Sequence, residues 1–180
     1  MSEPTPSLKK ALIAEIPPLR AFAISLAGDP DRADDLVQEA LVKAWSAQAS
    51  FQEGTSLRAW LFTILHNTFR NMRRHDGRNP VDVNSETVEQ AADRTGDERT
   101  PEQILSRATL DSDLQAALDG LPDAFRQAVW LRDVEEFSYA DIARMVDVPI
   151  GTVMSRISRG RRMLFERLAP KDSGAAARAA

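Results

Sequence analysis

The stretch from Asn79 to about Gln103 limits what this chain can fold into more than any other feature. It is made largely of Asp, Glu, Asn, Thr and Gly with few large apolar side chains, so it cannot bury enough surface to offset the entropy of ordering it. A chain of 180 residues interrupted in this way is expected to fold as two compact units. On both sides of the interruption apolar residues recur at helical spacing. The expected class is therefore all-α: two small helical domains joined by a flexible acidic linker. The expected boundaries are 8–78 for the first unit, 79–103 for the linker and 104–169 for the second. A tail over 170–180, PKDSGAAARAA, has no core-forming pattern and is expected to be disordered.

In the first unit, Leu8 to Ala27 reads as one helix with Leu12, Ile16, Leu19, Phe22, Ala23 and Leu26 on its apolar face. Pro17-Pro18 is expected to kink it, and Gly28-Asp29-Pro30 to stop it. A second helix runs from Asp31 to near Ala49. It turns Leu36, Val37, Ala40, Leu41, Ala44 and Trp45 inward, with Asp34, Asp35, Gln38 and Glu39 mostly on the other side. Ser50 to Thr55 forms a loop, and Ser56 is placed to cap a third helix with Leu57, Trp60, Leu61, Ile64 and Leu65 inside. That helix continues into Asn67, Arg70, Asn71, Arg73 and Arg74. In the second unit, Ile104, Leu110, Leu114, Leu118 and Leu121 carry the pattern, and Pro122-Asp123 opens a helix bearing Phe125, Val129 and Leu131.

The formal net charge of −4 conceals strong segregation. Residues 66–78 carry +3 and 144–180 carry +5, whereas 1–65, 79–105 and 106–143 carry −2, −5 and −5. Two separate basic clusters on an acidic chain suit two contacts with a polyanion, although two solvated helix faces give the same count.

Several classes are excluded or disfavoured. With no cysteine there is no disulfide framework, thiolate nucleophile or thiolate zinc site. No apolar run approaches the roughly 20 residues of a membrane span. The N-terminus, MSEPTPSLKKALIAEIPP, is too broken by acid and proline for a signal peptide, so a cytoplasmic protein is expected. His66 and His75 stand nine residues apart without a companion ligand motif, and are expected at the surface or facing DNA. Neither a phosphate-binding glycine loop nor a nucleophile elbow occurs. The expectation is a protein that is not an enzyme and holds no cofactor or metal.

Ser138 to Leu168, SYADIARMVDVPIGTVMSRISRGRRMLFERL, is the most informative stretch. Ser138 with Asp141 three residues on makes a capping box for a short helix whose Ile142, Met145 and Val146 face a core. The turn is Asp147-Val148-Pro149-Ile150-Gly151. A second helix then places Val153, Ile157, Leu164 and Leu168 on the buried side. Thr152, Ser155, Arg156, Arg159 and Arg162 lie on the exposed side. A short helix, tight turn and basic second helix form a helix-turn-helix. Thr152, Ser155 and Arg156 suit base edges, and Arg159, Arg161 and Arg162 suit phosphates. The five arginines between Arg156 and Arg167 have one acid among them, which is unusual for a neutralised surface.

With these motifs in place, the chain from about Leu19 to Leu168 resembles a bacterial RNA polymerase sigma factor of the extracytoplasmic-function type, group 4 of the sigma-70 family. RADDLVQEALVKAW resembles the family helix that docks on the clamp helices of the polymerase's largest subunit. SLRAWLFTILHNTFRNMRR resembles its minus-10 reader, and SYADIARMVDVPIGTVMSRISRGRR its minus-35 helix-turn-helix. The resemblance implies region 2-like and region 4-like domains and an alternative sigma factor for promoter recognition and transcription initiation. It implies core polymerase, through its beta and beta-prime subunits, as partner, with Asp35, Gln38 and Glu39 in contact.

For the minus-10 element it implies that Phe51 holds a flipped base and Asn67 hydrogen-bonds it, since unstacking costs a few kcal/mol and needs a compensating pocket. Phe51 as a plug of the core is the other reading. Arg70, Arg73 and Arg74, with Asn71 among them, then meet the phosphates. Trp60 stands where the family separates the strands, but its neighbour is Leu61 rather than a second aromatic; Trp60 as a core residue is the alternative. For the minus-35 element the resemblance implies Thr152, Met154, Ser155, Arg156, Ser158, Arg159, Arg161 and Arg162. Met154 and Ser158 replace a basic and an aromatic residue frequent in relatives.

About 25 linker residues reach roughly 80 Å at 3.3 Å each, against about 50 Å for one and a half duplex turns. One chain therefore spans both elements, and modest affinities combine through the linker. The linker's negative charge fits the family's placement of this segment in a basic nucleic-acid path, although a merely solvated linker explains the charge equally well. The resemblance also implies an anti-sigma factor as a controlling partner, and a monomer when free. The first half resembles the general-stress subgroup, whereas VPIGTVMSRISRGRR is more like subgroups tied to redox or envelope signals. Two rival readings stand beside this one. A sigma-like mimic would bind an anti-sigma factor without promoter DNA, and an ordinary helix-turn-helix repressor would leave RADDLVQEALVKAW unexplained.

Overall fold

The computed structural model describes residues 6–52, 54–75 and 112–169, and these form helices and short connections. The linker over 79–103, the start of the second unit up to residue 111 and the tail over 170–180 lie outside the described residues.

Where the sequence predicts one kinked helix over Leu8–Ala27 there are two: α1 (Pro6–Ala14) and α2 (Ile16–Ala27). The prolines account for the difference. In the first turn of a helix proline loses no hydrogen bond, so Pro17-Pro18 start α2 instead of bending a longer element. At its other end Gly28, at φ 70°, adopts the left-handed conformation and donates its amide to the carbonyl of Ile24.

Asp29 then caps α3 (Pro30–Ser46) by accepting from the amide of Arg32 at 2.9 Å. A 3-10 turn over Gln48–Ser50 follows, so the α-helix itself ends three residues short of Ala49. Ser56 caps α4 (Leu57–His75) as expected, its hydroxyl accepting from the amide of Ala59 at 3.1 Å. Leu19, Phe22, Leu26, Leu36, Ala40, Leu61 and Leu65 fill the space between α2, α3 and α4.

The second half begins with α5 (Ser112–Asp119) and α6 (Asp123–Val129). A single π turn over Trp130–Val134 continues α6. The buried Arg126 ties the two helices, donating to the carbonyls of Asp119 and Leu121 at 3.2 and 3.1 Å and to the Asp123 carboxylate at 2.7 Å. Next come α7 (Tyr139–Val146) and α8 (Ile150–Leu168). Gly160 is buried where α8 crosses α6, and a Cβ there would lie 2.7 Å from Val129 Cγ2. Only a glycine lets these helices approach so closely.

The two halves share one apolar cluster. Phe62, fully buried on α4, stacks on Phe22 at 5.4 Å between ring centroids and meets Phe137 of the second half edge-on at 5.1 Å. Helix α4 packs directly on α7, and α2 on α6.

Candidate nucleic-acid and polymerase interface

The helix-turn-helix consists of α7, its turn and α8. The Ser138 hydroxyl accepts from the amide of Asp141 at 3.1 Å and lies 2.6 Å from its carboxylate. That hydrogen bond, with a smaller contribution from Arg144, holds the Asp141 carboxyl below the usual range. Asp147 ends α7 at φ 54°, a left-handed conformation that aspartate tolerates better than most residues. Pro149 then opens α8.

On α8, Val153 and Ile157 are buried against the second half, as the sequence predicts. The buried face ends sooner than expected, however: Leu164 is half-buried and Leu168 is 42% exposed. Met154, Ser155, Ser158, Arg159, Arg161 and Arg162 are exposed, and Thr152 and Arg156 are half-buried. Ser155 directs its hydroxyl back to the carbonyl of Thr152 at 2.9 Å. Arg161 is paired with Asp133, an interaction that raises its pKa, and Arg162 stands 3.9 Å from Glu166.

On α3, Asp35, Gln38 and Glu39 are all exposed, whereas the neighbouring Asp34 is tied to Arg20 at 2.6 Å. Glu39 accepts from Lys43 one turn on at 2.6 Å, and Lys43 also lies 3.3 Å from the Thr68 hydroxyl. The three expected polymerase-contacting residues thus form one open acidic and amide face. Phe51 and Trp60 come together, ring centroids 5.3 Å apart and tilted by 50°, each half-buried. Asn67, Asn71 and Arg74 are exposed along the distal part of α4, with Arg70 half-buried beside them.

Sequence reasoning missed the seam between the halves. Arg58, Phe62, His66, Phe69 and Arg73 recur at intervals of three or four along α4 and lie on one stripe of it. At one end Arg58 pairs with Glu135, whose buried carboxylate also accepts from Trp130 Nε1 at 3.0 Å. At the other end Arg73 donates to Asp123 at 2.8 Å. Its charged residues disguise this stripe in a hydropathy pattern, and its partners lie 50 to 77 positions away.

His66 corrects an expectation. It is 4% exposed, neither at the surface nor free to face DNA, and its Nδ1 has no hydrogen-bond partner. Burial pushes its imidazole down to about 4, with the guanidiniums of Arg70 and Arg156 depressing it further. Arg156 belongs to the helix-turn-helix, so its charge reaches His66 from the other half. His75 is exposed. Among the described residues no group of histidines and acids is placed to hold a metal ion, and no helix is long and apolar enough to cross a membrane.

Comparison with known proteins agrees with this geometry. Residues 12–79 match the sigma-70 region 2 family and residues 111–164 match sigma-70 region 4. The chain is 42% identical over 161 residues to the ECF RNA polymerase sigma factor EcfG of Rhodopseudomonas palustris, covering 89% of this chain and 84% of that one. It is 40% identical over 153 residues to the ECF RNA polymerase sigma factor SigE of Mycolicibacterium smegmatis, covering 84% of this chain and 58% of that one. Among solved structures, the sigma factor RpoE of Bartonella quintana, crystallised with the anti-sigma factor NepR, superposes with a TM-score of 0.69 at 40% identity, over 90% of this chain and 96% of that one. With both helical halves matched in order, the chain belongs to the extracytoplasmic-function sigma factors of the sigma-70 family.

Proposed function

We propose that this sigma factor docks on core RNA polymerase through Asp35, Gln38 and Glu39, with the first half reading the minus-10 element and the helix-turn-helix the minus-35 element. The observation that carries the reading is the face of α8. Ser155, Ser158 and Arg159 stand in solvent beside Thr152 and Arg156, while Val153 and Ile157 are buried behind them. This gives base-edge donors and phosphate-binding cations on one rigid element. Arg70, Arg73 and Arg74 with Asn67 and Asn71 supply the corresponding set on α4, and the Phe51–Trp60 ring pair is the natural stacking platform for an unstacked promoter base. The protein performs no catalysis of its own and acts in the cytoplasm, where promoter DNA and polymerase are.

An anti-sigma factor holds it inactive, as the co-crystal of the Bartonella quintana relative supports. Closure of the halves also favours an inactive form. Arg73, assigned to DNA, is occupied across the seam by Asp123, and the charge of Arg156 is felt by the buried His66 of α4. Binding at elements one and a half duplex turns apart requires the seam to open.

The test is run-off transcription with sigma-free core polymerase and a randomised promoter library. Enrichment of two motifs about one and a half turns apart is the expected result. A folded protein that supports no transcription beside a competent control sigma would overturn the reading in favour of a mimic that only titrates an anti-sigma factor.

A further inference from the structure

The first two turns of α8 carry a feature that hydrogen bonding does not explain. Ile150 and Met154 are 49% and 52% exposed, four positions apart and hence on the same side of the helix. Their neighbours on the open surface are Gly151, Ser155 and Ser158, all exposed. The buried face of α8 is spoken for by Val153, Ile157 and Gly160, and Arg156 is half-buried, with its charge felt by His66 of α4. The pair therefore belongs neither to the core nor to the contact between the halves. It forms an apolar edge continuous with the base-reading residues Thr152 and Ser155.

Isoleucine offers no hydrogen-bonding group and methionine only a weak acceptor. In the major groove the one apolar feature that distinguishes base pairs is the 5-methyl group of thymine. We propose that Ile150 and Met154 read thymine methyls in the minus-35 element, a specificity that rests on the DNA-binding role of α8. Residues four apart on a helix are separated by roughly 6 Å along its axis. Base steps are 3.4 Å apart on one strand. The pair thus addresses two thymines one or two steps apart. The flexible thioether adapts to its methyl, and the stiff branched side chain of Ile150 demands a fixed position.

The test uses holoenzyme reconstituted with core polymerase on a promoter selected from the transcription library. Each minus-35 thymine is replaced singly by deoxyuridine, which removes the methyl and keeps every hydrogen-bonding group. Wild-type binding is expected to weaken about fourfold at one or two of these positions, the value of one buried methyl group. In Met154→Ala one of those discriminations disappears, and in Ile150→Ala the other. Met154→Leu retains it, and thermal melting of each variant checks the fold. Promoter-dependent transcription with no thymine-to-uridine effect at any position overturns the proposal while leaving the sigma-factor reading intact. Discrimination that persists unchanged in both alanine variants also overturns it. A holoenzyme that does not engage promoters at all overturns both.

Discussion

His66 makes the closed arrangement sensitive to acid. In the folded chain its pKa is about 4, against 6.5 for the unperturbed group. Between those values the opened or unfolded chain binds a proton that the closed chain refuses. The sign follows directly: stability is complete above about pH 6.5, falls as the pH drops through that window, and stops falling below about pH 4. The full shift corresponds to about 3 kcal/mol, at 1.36 kcal/mol per pH unit. Between pH 7 and pH 5 the loss is about 2 kcal/mol, a large part of the 5–15 kcal/mol typical of a domain.

Urea denaturation of wild type and His66→Gln at both pH values measures it. The wild type is expected to lose about 2 kcal/mol on going to pH 5, and the glutamine variant less than about 0.5 kcal/mol, since ordinary carboxylates hardly titrate in that range. Because Arg156 lies in the other half, the new charge acts across the seam, and the radius of gyration at pH 5 is expected to rise before the helices melt. Equal acid losses in both proteins would refute the account of His66.

Arg58→Ala removes the cation over Glu135, whose side chain is 3% exposed. Because Arg58 is itself 39% exposed and screened, the expected loss is about 1–2 kcal/mol in thermal denaturation, with partial recovery in Arg58→Lys; an unchanged transition would remove Glu135 from the seam's energetics. Gly160→Ala forces a methyl to within 2.7 Å of Val129 Cγ2 and is expected to cost about 1–2 kcal/mol despite alanine's better helix propensity. A stabilised variant would show that α6 and α8 separate freely. The double variant Gln38→Ala, Glu39→Ala is expected to weaken core polymerase binding at least about tenfold, as loss of a small cluster of interface contacts does, without shifting the melting temperature. Undiminished affinity in a pull-down with purified core would move the docking face elsewhere.

Much of this was legible in the residues. Leu36, Val37, Ala40 and Ala44 repeat at helical spacing and are buried, and Ser138 with Asp141 marks the start of the helix-turn-helix by local chemistry alone. Gly160 was not distinguishable from a tolerated helical glycine, because what makes it necessary is the side chain of Val129 on another helix. The break at Glu15 was not legible either, since two prolines in a helical pattern are compatible with a kink or a new start, and packing selects between them. His66 escaped for a third reason. A histidine between Phe62 and Phe69 with arginines at either end of the stripe reads as an amphipathic solvent face until a second half covers it.

That covering changes what the arginines do. Arg73 has a carboxylate partner across the seam in Asp123, whereas Arg161 has one within its own half in Asp133. In the proposed DNA-binding role, moving either onto a phosphate exchanges one ion pair for another, so each would contribute less to DNA affinity than an arginine entering from water. The acidic residues of the second half thereby compete with the promoter for the same cations. Added salt weakens both sets of contacts at once, leaving the net dependence of promoter binding on salt shallower than the number of phosphate contacts alone would produce. The seam is thus an electrostatic competitor as well as a steric block, and its apolar centre, Phe22, Phe62 and Phe137, is the part that salt leaves in place.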